Sequence, residues 1–160
     1  MKEYLAWAQE PANGLRVIKE VNGAVLDAQY RPDKSVEESQ KDLSAIVQRH
    51  IVLRIGMRSG EDLLRVGATT QAAVQKNLYY YSYLFQNDIY IEDGSKKQPC
   101  TLFHFENSVG KGSERTFHLI FETSSSDQEN FSLVVDSDRL SSLPIRFKIR
   151  NKDIPQVSQL

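Results

Sequence analysis

Residues Gln98–Glu122 read QPCTLFHFENSVGKGSERTFHLIFE. Two segments of this stretch, Cys100–Glu106 and Thr116–Glu122, alternate apolar and polar side chains, and a polar loop holding Gly110 and Gly112 joins them. Alternation with a period of two sets one face of a strand against a core and the other toward water. The stretch therefore predicts a central β-hairpin, with Leu102, Phe117, Leu119 and Phe121 as its core contribution. It also carries the chain's one cysteine, two of its three histidines and four of its seven phenylalanines. Any chemistry written in the sequence should be concentrated here.

Working outward, Leu15–Val21 and Ala24–Arg31 alternate around Asn22-Gly23, a dipeptide that accepts the positive φ angles of a type I′ turn, so a second hairpin is expected. Leu15, Val17 and Val21 share one face of its first strand, and Leu26, Ala28 and Tyr30 one face of its second. Arg31-Pro32-Asp33 ends that strand, because proline has no amide hydrogen for a ladder. Tyr4–Gln9 reads as a short helix stopped by Pro11. Ser35 and Glu38 have capping-box spacing and open a helix running to about Arg49. His50–Arg58 follows as a strand, with Ile51, Leu53, Ile55 and Met57 on one face. Thr70 caps a further helix extending to about Phe85, in which Val74, Leu78 and Tyr81 keep helical spacing. Short strands are expected at Ile89–Ile91, Phe131–Val135 and Ile145–Arg150. In the last, Ile145, Phe147 and Ile149 point inward and Arg146, Lys148 and Arg150 outward.

These elements predict an α+β fold in one domain, residues 1–160. It is a mostly antiparallel sheet, sandwich-like in the C-terminal half, with two main helices packed on it. No strand–helix–strand rhythm appears, which argues against a parallel nucleotide-binding sheet. At 160 residues the chain buries enough surface to need no metal or disulfide for its core. Twenty basic residues stand against twenty-one acidic ones and are scattered. A clustered basic face, and with it nucleic acid as a main partner, is not expected. One cysteine excludes an internal disulfide and a multi-cysteine zinc site. No apolar run approaches the roughly 18 residues of a membrane-spanning helix.

Several residues invite a chemical reading. His104 and His118, on strands adjacent in sequence, could meet across the hairpin and hold a metal with Glu106 or Glu122; the plainer reading is two histidines on a sheet. His50 reads as the C-terminal residue of the helix before it, favoured there by the helix dipole. Cys100 could serve as a nucleophile with His118 as its base, but a strand cysteine more commonly behaves as a small buried hydrophobe. Gly110-Lys111-Gly112-Ser113 has the wrong order for a phosphate loop and precedes a strand, so it is a hairpin loop. The carboxylate pairs Glu37-Glu38, Glu61-Asp62 and Glu92-Asp93 are neighbours in sequence, which does not place two carboxyls across a cleft. No catalytic residue, metal ligand or cofactor is assigned. The tyrosine-rich helix remains. Tyr79, Tyr80 and Tyr83 each offer a flat apolar ring and a hydroxyl, suited to glycan stacking or a protein interface. The plainer alternative packs that helix on the sheet with its hydroxyls at the rim.

The segments YLAWAQEPANGL, AQYRP, QNDIYIEDG and QPCTLFHFEN, with a final strand ending near Ile154-Pro155, resemble a group of uncharacterised lipoproteins of Gram-negative bacteria. The resemblance spans nearly the whole chain and rests on aromatic and turn signatures. It implies an extracytoplasmic protein, in the periplasm or on the outer membrane, with a lipid anchor lying outside these residues, and it brings no catalytic residue. The function expected is a non-enzymatic domain that binds or scaffolds a protein or glycan of the cell envelope. The competing reading is a hydrolase-like enzyme using Cys100 and His118, or a metal held by His104 and His118.

Overall fold

Alternation becomes a single antiparallel sheet of eight strands: β1 (Arg16–Val21), β2 (Ala24–Arg31), β3 (Ile46–Met57), β4 (Ile89–Asp93), β5 (Lys96–Phe105), β6 (Arg115–Ser124), β7 (Asn130–Val135) and β8 (Ile145–Arg150). Their order across the sheet is β1-β2-β3-β6-β5-β4-β7-β8. The structure is a computed structural model and describes residues 9, 14–32, 46–94, 96–106, 113–124 and 130–150. The β1–β2 hairpin turns at Asn22 and Gly23, whose φ angles of 52° and 81° are those the sequence called for.

The sheet nearly closes on itself. β5 is long enough to serve two neighbours: Lys96–Pro99 pairs with β4, and Cys100–Phe105 pairs with β6. A bulge between Cys100 and Leu102 marks the change and bends the strand. At the far edges the Arg150 amide donates to the Gly14 carbonyl at 3.0 Å, bringing the end of β8 against the entry to β1. The interior is filled by inward side chains from every strand, among them Leu26, Ile51, Leu53, Phe117, Phe121, Leu133 and Phe147, all fully buried.

One α-helix is present among the described residues, where two main helices packed on the sheet were expected. Thr70 accepts from the Ala73 amide at 3.1 Å through Oγ1 and opens α1 (Gln71–Tyr79). The chain then widens into a π-helical turn over Tyr80–Leu84 and tightens into a 3-10 turn over Phe85–Asp88 that feeds β4. This change of pitch turns Tyr80, Tyr81 and Phe85 inward and leaves Tyr79, Tyr83 and Leu84 exposed. Phe85 meets Phe117 at a ring separation of 5.0 Å, and Tyr81 meets Phe85 at 5.2 Å. The helical segment thus caps the core with aromatic rings.

Four expectations are corrected. The C-terminal half is not a sandwich, because β5 is continuous through both halves and the outer edges meet. The helix expected to reach Arg49 does not do so: Ile46–Arg49 belongs to β3, which pairs with β6 along Ile46–Ile55. His50 consequently lies within a strand and not at a helix end. Leu102 is 58% exposed, and Phe105 is buried in its place with Phe103 packed against the core, since the bulge shifts which residues of β5 face inward. The capping pair Ser35 and Glu38, residues 4–8 of the expected first helix and the loop glycines Gly110 and Gly112 lie outside the described residues.

Candidate functional site

Past the first residues of β4, the β4-side edge of β5 beyond Pro99 has no strand beside it among the described residues, and the helical segment lies along it. Between the two runs a groove of about 600 Å³. Tyr79, Ser82, Tyr83 and Gln86 form its helical wall; Phe103 and His104 belong to its β5 wall. Tyr79 is 57% exposed and Tyr83 62%, and their rings meet at 5.4 Å with planes tilted by 50°. No Asp, Glu, Lys or Arg lines this groove, although 26% of the chain is charged. It offers ring faces, amides, hydroxyls and one imidazole. Two large aromatics held side by side in water are unusual for a surface that only needs to stay solvated.

Tyr80 has a different role. Its hydroxyl sits 2.5 Å from both Asp88 Oδ2 and Ser137 Oγ, and Arg139 stacks on its ring at 4.4 Å. Burial, reinforced by the hydrogen bond to Asp88, raises its pKa well above the usual phenol value. Burial also pushes Tyr81 up to about 12. Arg139 donates to Asn77 Oδ1, and Asn77 Nδ2 donates to the Leu64 carbonyl at 2.7 Å. The network ties the helix to the segments on either side of it. A smaller cavity of about 340 Å³ opens beside it, bordered by Asn77, Tyr81, Arg139 and Leu140.

The three histidines come together on the outer face of the sheet. His118 on β6 stands opposite His104 on β5, with ring centroids 6.0 Å apart, and diagonally from His50 on β3. His50 Nε2 lies 3.4 Å from His118 Nδ1, and His118 Nε2 lies 2.5 Å from Glu106 Oε1. Burial lowers the His50 pKa, with smaller contributions from His118 and Arg31. The hydrogen bond from His118 holds the Glu106 carboxyl below its ordinary range. The sequence placed His104 beside His118 correctly, but it did not bring His50 to them; that contact depends on the β3–β6 register. Among the described residues no group of three or more histidine, cysteine, aspartate or glutamate side chains is arranged to hold a metal ion.

Cys100 is placed apart from this row. It pairs with Phe121 and packs against the core, while His118 alternates to the outside between buried Phe117 and Leu119. The thiol donates to the Leu102 carbonyl at 3.0 Å, and burial pushes its pKa up to about 11. Such a thiol is poorly prepared to ionise as a nucleophile.

Comparison with family models, with curated proteins and with solved structures returns no match for this chain. No helix among the described residues is long and apolar enough to cross a membrane.

Proposed function

We propose that the protein is a non-enzymatic binding domain of an extracytoplasmic lipoprotein, and that the groove beside Tyr79 and Tyr83 receives a neutral glycan of the cell envelope. The observation that carries this reading is the groove's makeup: two exposed, adjoining tyrosine rings and an uncharged polar lining. A sugar ring presents C–H faces that stack on aromatic planes and hydroxyls that need donors and acceptors at their edge. The tyrosine faces meet the first need, and Ser82, Gln86 and His104 the second. A charged ligand would find no countercharge in the lining. The extracytoplasmic and lipoprotein part of the reading rests on the resemblance described above.

The hydrolase alternative draws little from Cys100 and His118, which lie on opposite faces of β6 and its neighbour. Native alkylation separates the two readings: a core thiol reacts only on unfolding, whereas rapid modification near neutral pH would favour the enzyme. The binding reading is tested by NMR titration with soluble chitin and neutral glucan oligosaccharides. Amide shifts should change along Gln75–Gln86 and Phe103–Phe105 and disappear in a Tyr79→Ala/Tyr83→Ala double variant. Shifts that persist in the double variant, or no response to any oligosaccharide, would reject the glycan assignment.

A further inference from the structure

The row of histidines holds a second feature, independent of the groove. His118 presents its two ring nitrogens to different partners: Nε2 faces Glu106 at 2.5 Å, and Nδ1 faces His50 Nε2 at 3.4 Å. A carboxylate bonded to one nitrogen keeps the proton there and leaves the other nitrogen with a free lone pair. This is the arrangement by which carboxylates orient metal-bound histidines. The remaining separation has a geometric meaning. In a tetrahedral zinc site with bonds of about 2.0–2.1 Å, two ligand nitrogens stand about 3.3–3.4 Å apart.

We infer that His50 and His118 form an open coordination site for a divalent transition metal ion of the zinc type, with Glu106 as the carboxylate that orients His118. The ion would bridge the two nitrogens from just off the line that joins them, replacing their direct contact. With its Nε2 proton held at Glu106, His118 offers Nδ1 to the ion; His50 carries its own proton on Nδ1 and offers Nε2, and both rings tilt toward the ion. Solvent completes the coordination, consistent with the exposed face of the sheet and with the lack of a third converging side chain. His104 is not a ligand in this arrangement. It lies on β5, two residues before Glu106 and on the other side of His118 from His50.

Two neighbouring charges work against a cation. Arg31, which pairs with His50 across β2 and β3, acts on His50, and Arg54 acts on Glu106. Both are opposed by the Glu106 charge, and salt screens exposed charges over about 10 Å. Imidazole donors favour zinc, copper and nickel over magnesium, so selectivity is part of the claim.

The test is a titration of the whole chain with Zn²⁺ near neutral pH, read by calorimetry and by the ring-proton NMR signals of the three histidines. One ion should bind, shifting His50 and His118 and leaving His104 in place, while Mg²⁺ has no effect. His50→Ala and His118→Ala should each abolish binding, Glu106→Gln should weaken it about 10–100-fold, and His104→Ala should leave it unchanged. No uptake by the native chain, binding that survives His50→Ala, or an equal response to Mg²⁺ would overturn the inference. The ring-proton shifts of the unaltered protein decide the matter even where a variant folds poorly.

Discussion

Gly14 stands where the two outer edges of the nearly closed sheet meet, and replacing it with alanine should part them. Its φ is +85°, in the left-handed region that disfavours a side chain, and its carbonyl accepts from the Arg150 amide at 3.0 Å. A Cβ placed there would stand 2.8 Å from Arg150 Cβ and 3.3 Å from the Arg150 carbonyl oxygen. The first contact is with an atom fixed to the backbone, so relief requires β8 to move. The conformational term costs about 1–2 kcal/mol. Weakening the seam hydrogen bond adds about 0.5–1.5 kcal/mol. Gly14→Ala should therefore destabilise the protein by about 2–3 kcal/mol, which for a chain of this size lowers Tm by roughly 2–4 °C per kcal/mol. Gly60 supplies the control. Its φ is +81°, yet nothing lies within 4 Å of an added Cβ, so Gly60→Ala carries the conformational term alone. Urea unfolding of both variants, with hydrogen exchange at the Arg150 amide, separates the two contributions. Equal losses in the two variants, or unchanged protection of Arg150 in Gly14→Ala, would refute the claim that this contact holds the two edges together.

Two further perturbations test the polar supports of the fold. Asp62 receives bonds from Arg115 at 2.9 and 2.5 Å, and that interaction lowers its carboxyl pKa against an opposing effect of burial. A carboxyl whose pKa is lowered by folding stabilises the native state above its unfolded value and loses that contribution as acid protonates it. Urea stability should thus decline below about pH 4, and Asp62→Asn should lose stability at neutral pH and show a shallower acid slope; parallel slopes would count against the pair. Tyr80→Phe removes the hydroxyl shared by Asp88 and Ser137 and should cost about 1–3 kcal/mol in thermal or urea unfolding. A neutral result would mean that water replaces the hydroxyl.

Local signals in the sequence carried most of the secondary structure. Asn22-Gly23 marked a hairpin because the turn needs two positive φ angles, and Thr70 marked a helix start because its hydroxyl can satisfy an amide three residues on. Ile145–Arg150 alternated as expected, with Ile145, Phe147 and Ile149 buried. What stayed hidden depended on contacts between distant segments. Closure at Gly14 and Arg150 joins residues more than a hundred positions apart, and nothing in either neighbourhood announces the other. The bulge near Thr101 reversed the facing of Leu102 and Phe103, since one extra residue in a strand moves every side chain beyond it to the other face. The same limit concealed the full row of histidines. His104 and His118 were visible as a pair because a hairpin links them, whereas His50 joins them only through the β3–β6 register. Tyr79, Tyr80 and Tyr83 were grouped together, but a change from α to π pitch separated Tyr80 from the other two.

That separation bears on what the helix is for. An unpaired strand edge invites association with other chains, and covering it with a helix is a common remedy. The edge of β5 beyond Pro99 is covered in this way, and the covering is secured from inside by Tyr81 and Phe85 against Phe117 and by the hydrogen bonds of Tyr80. None of these anchors requires Tyr79 or Tyr83 to be aromatic. Both lie mostly in water, where substitutions usually change stability by no more than about 0.5 kcal/mol. The fold therefore explains why a helix lies along β5 but not why its outer surface carries two adjoining rings. The ligand recognition proposed for the groove would give those two rings a role that the stability of the fold does not.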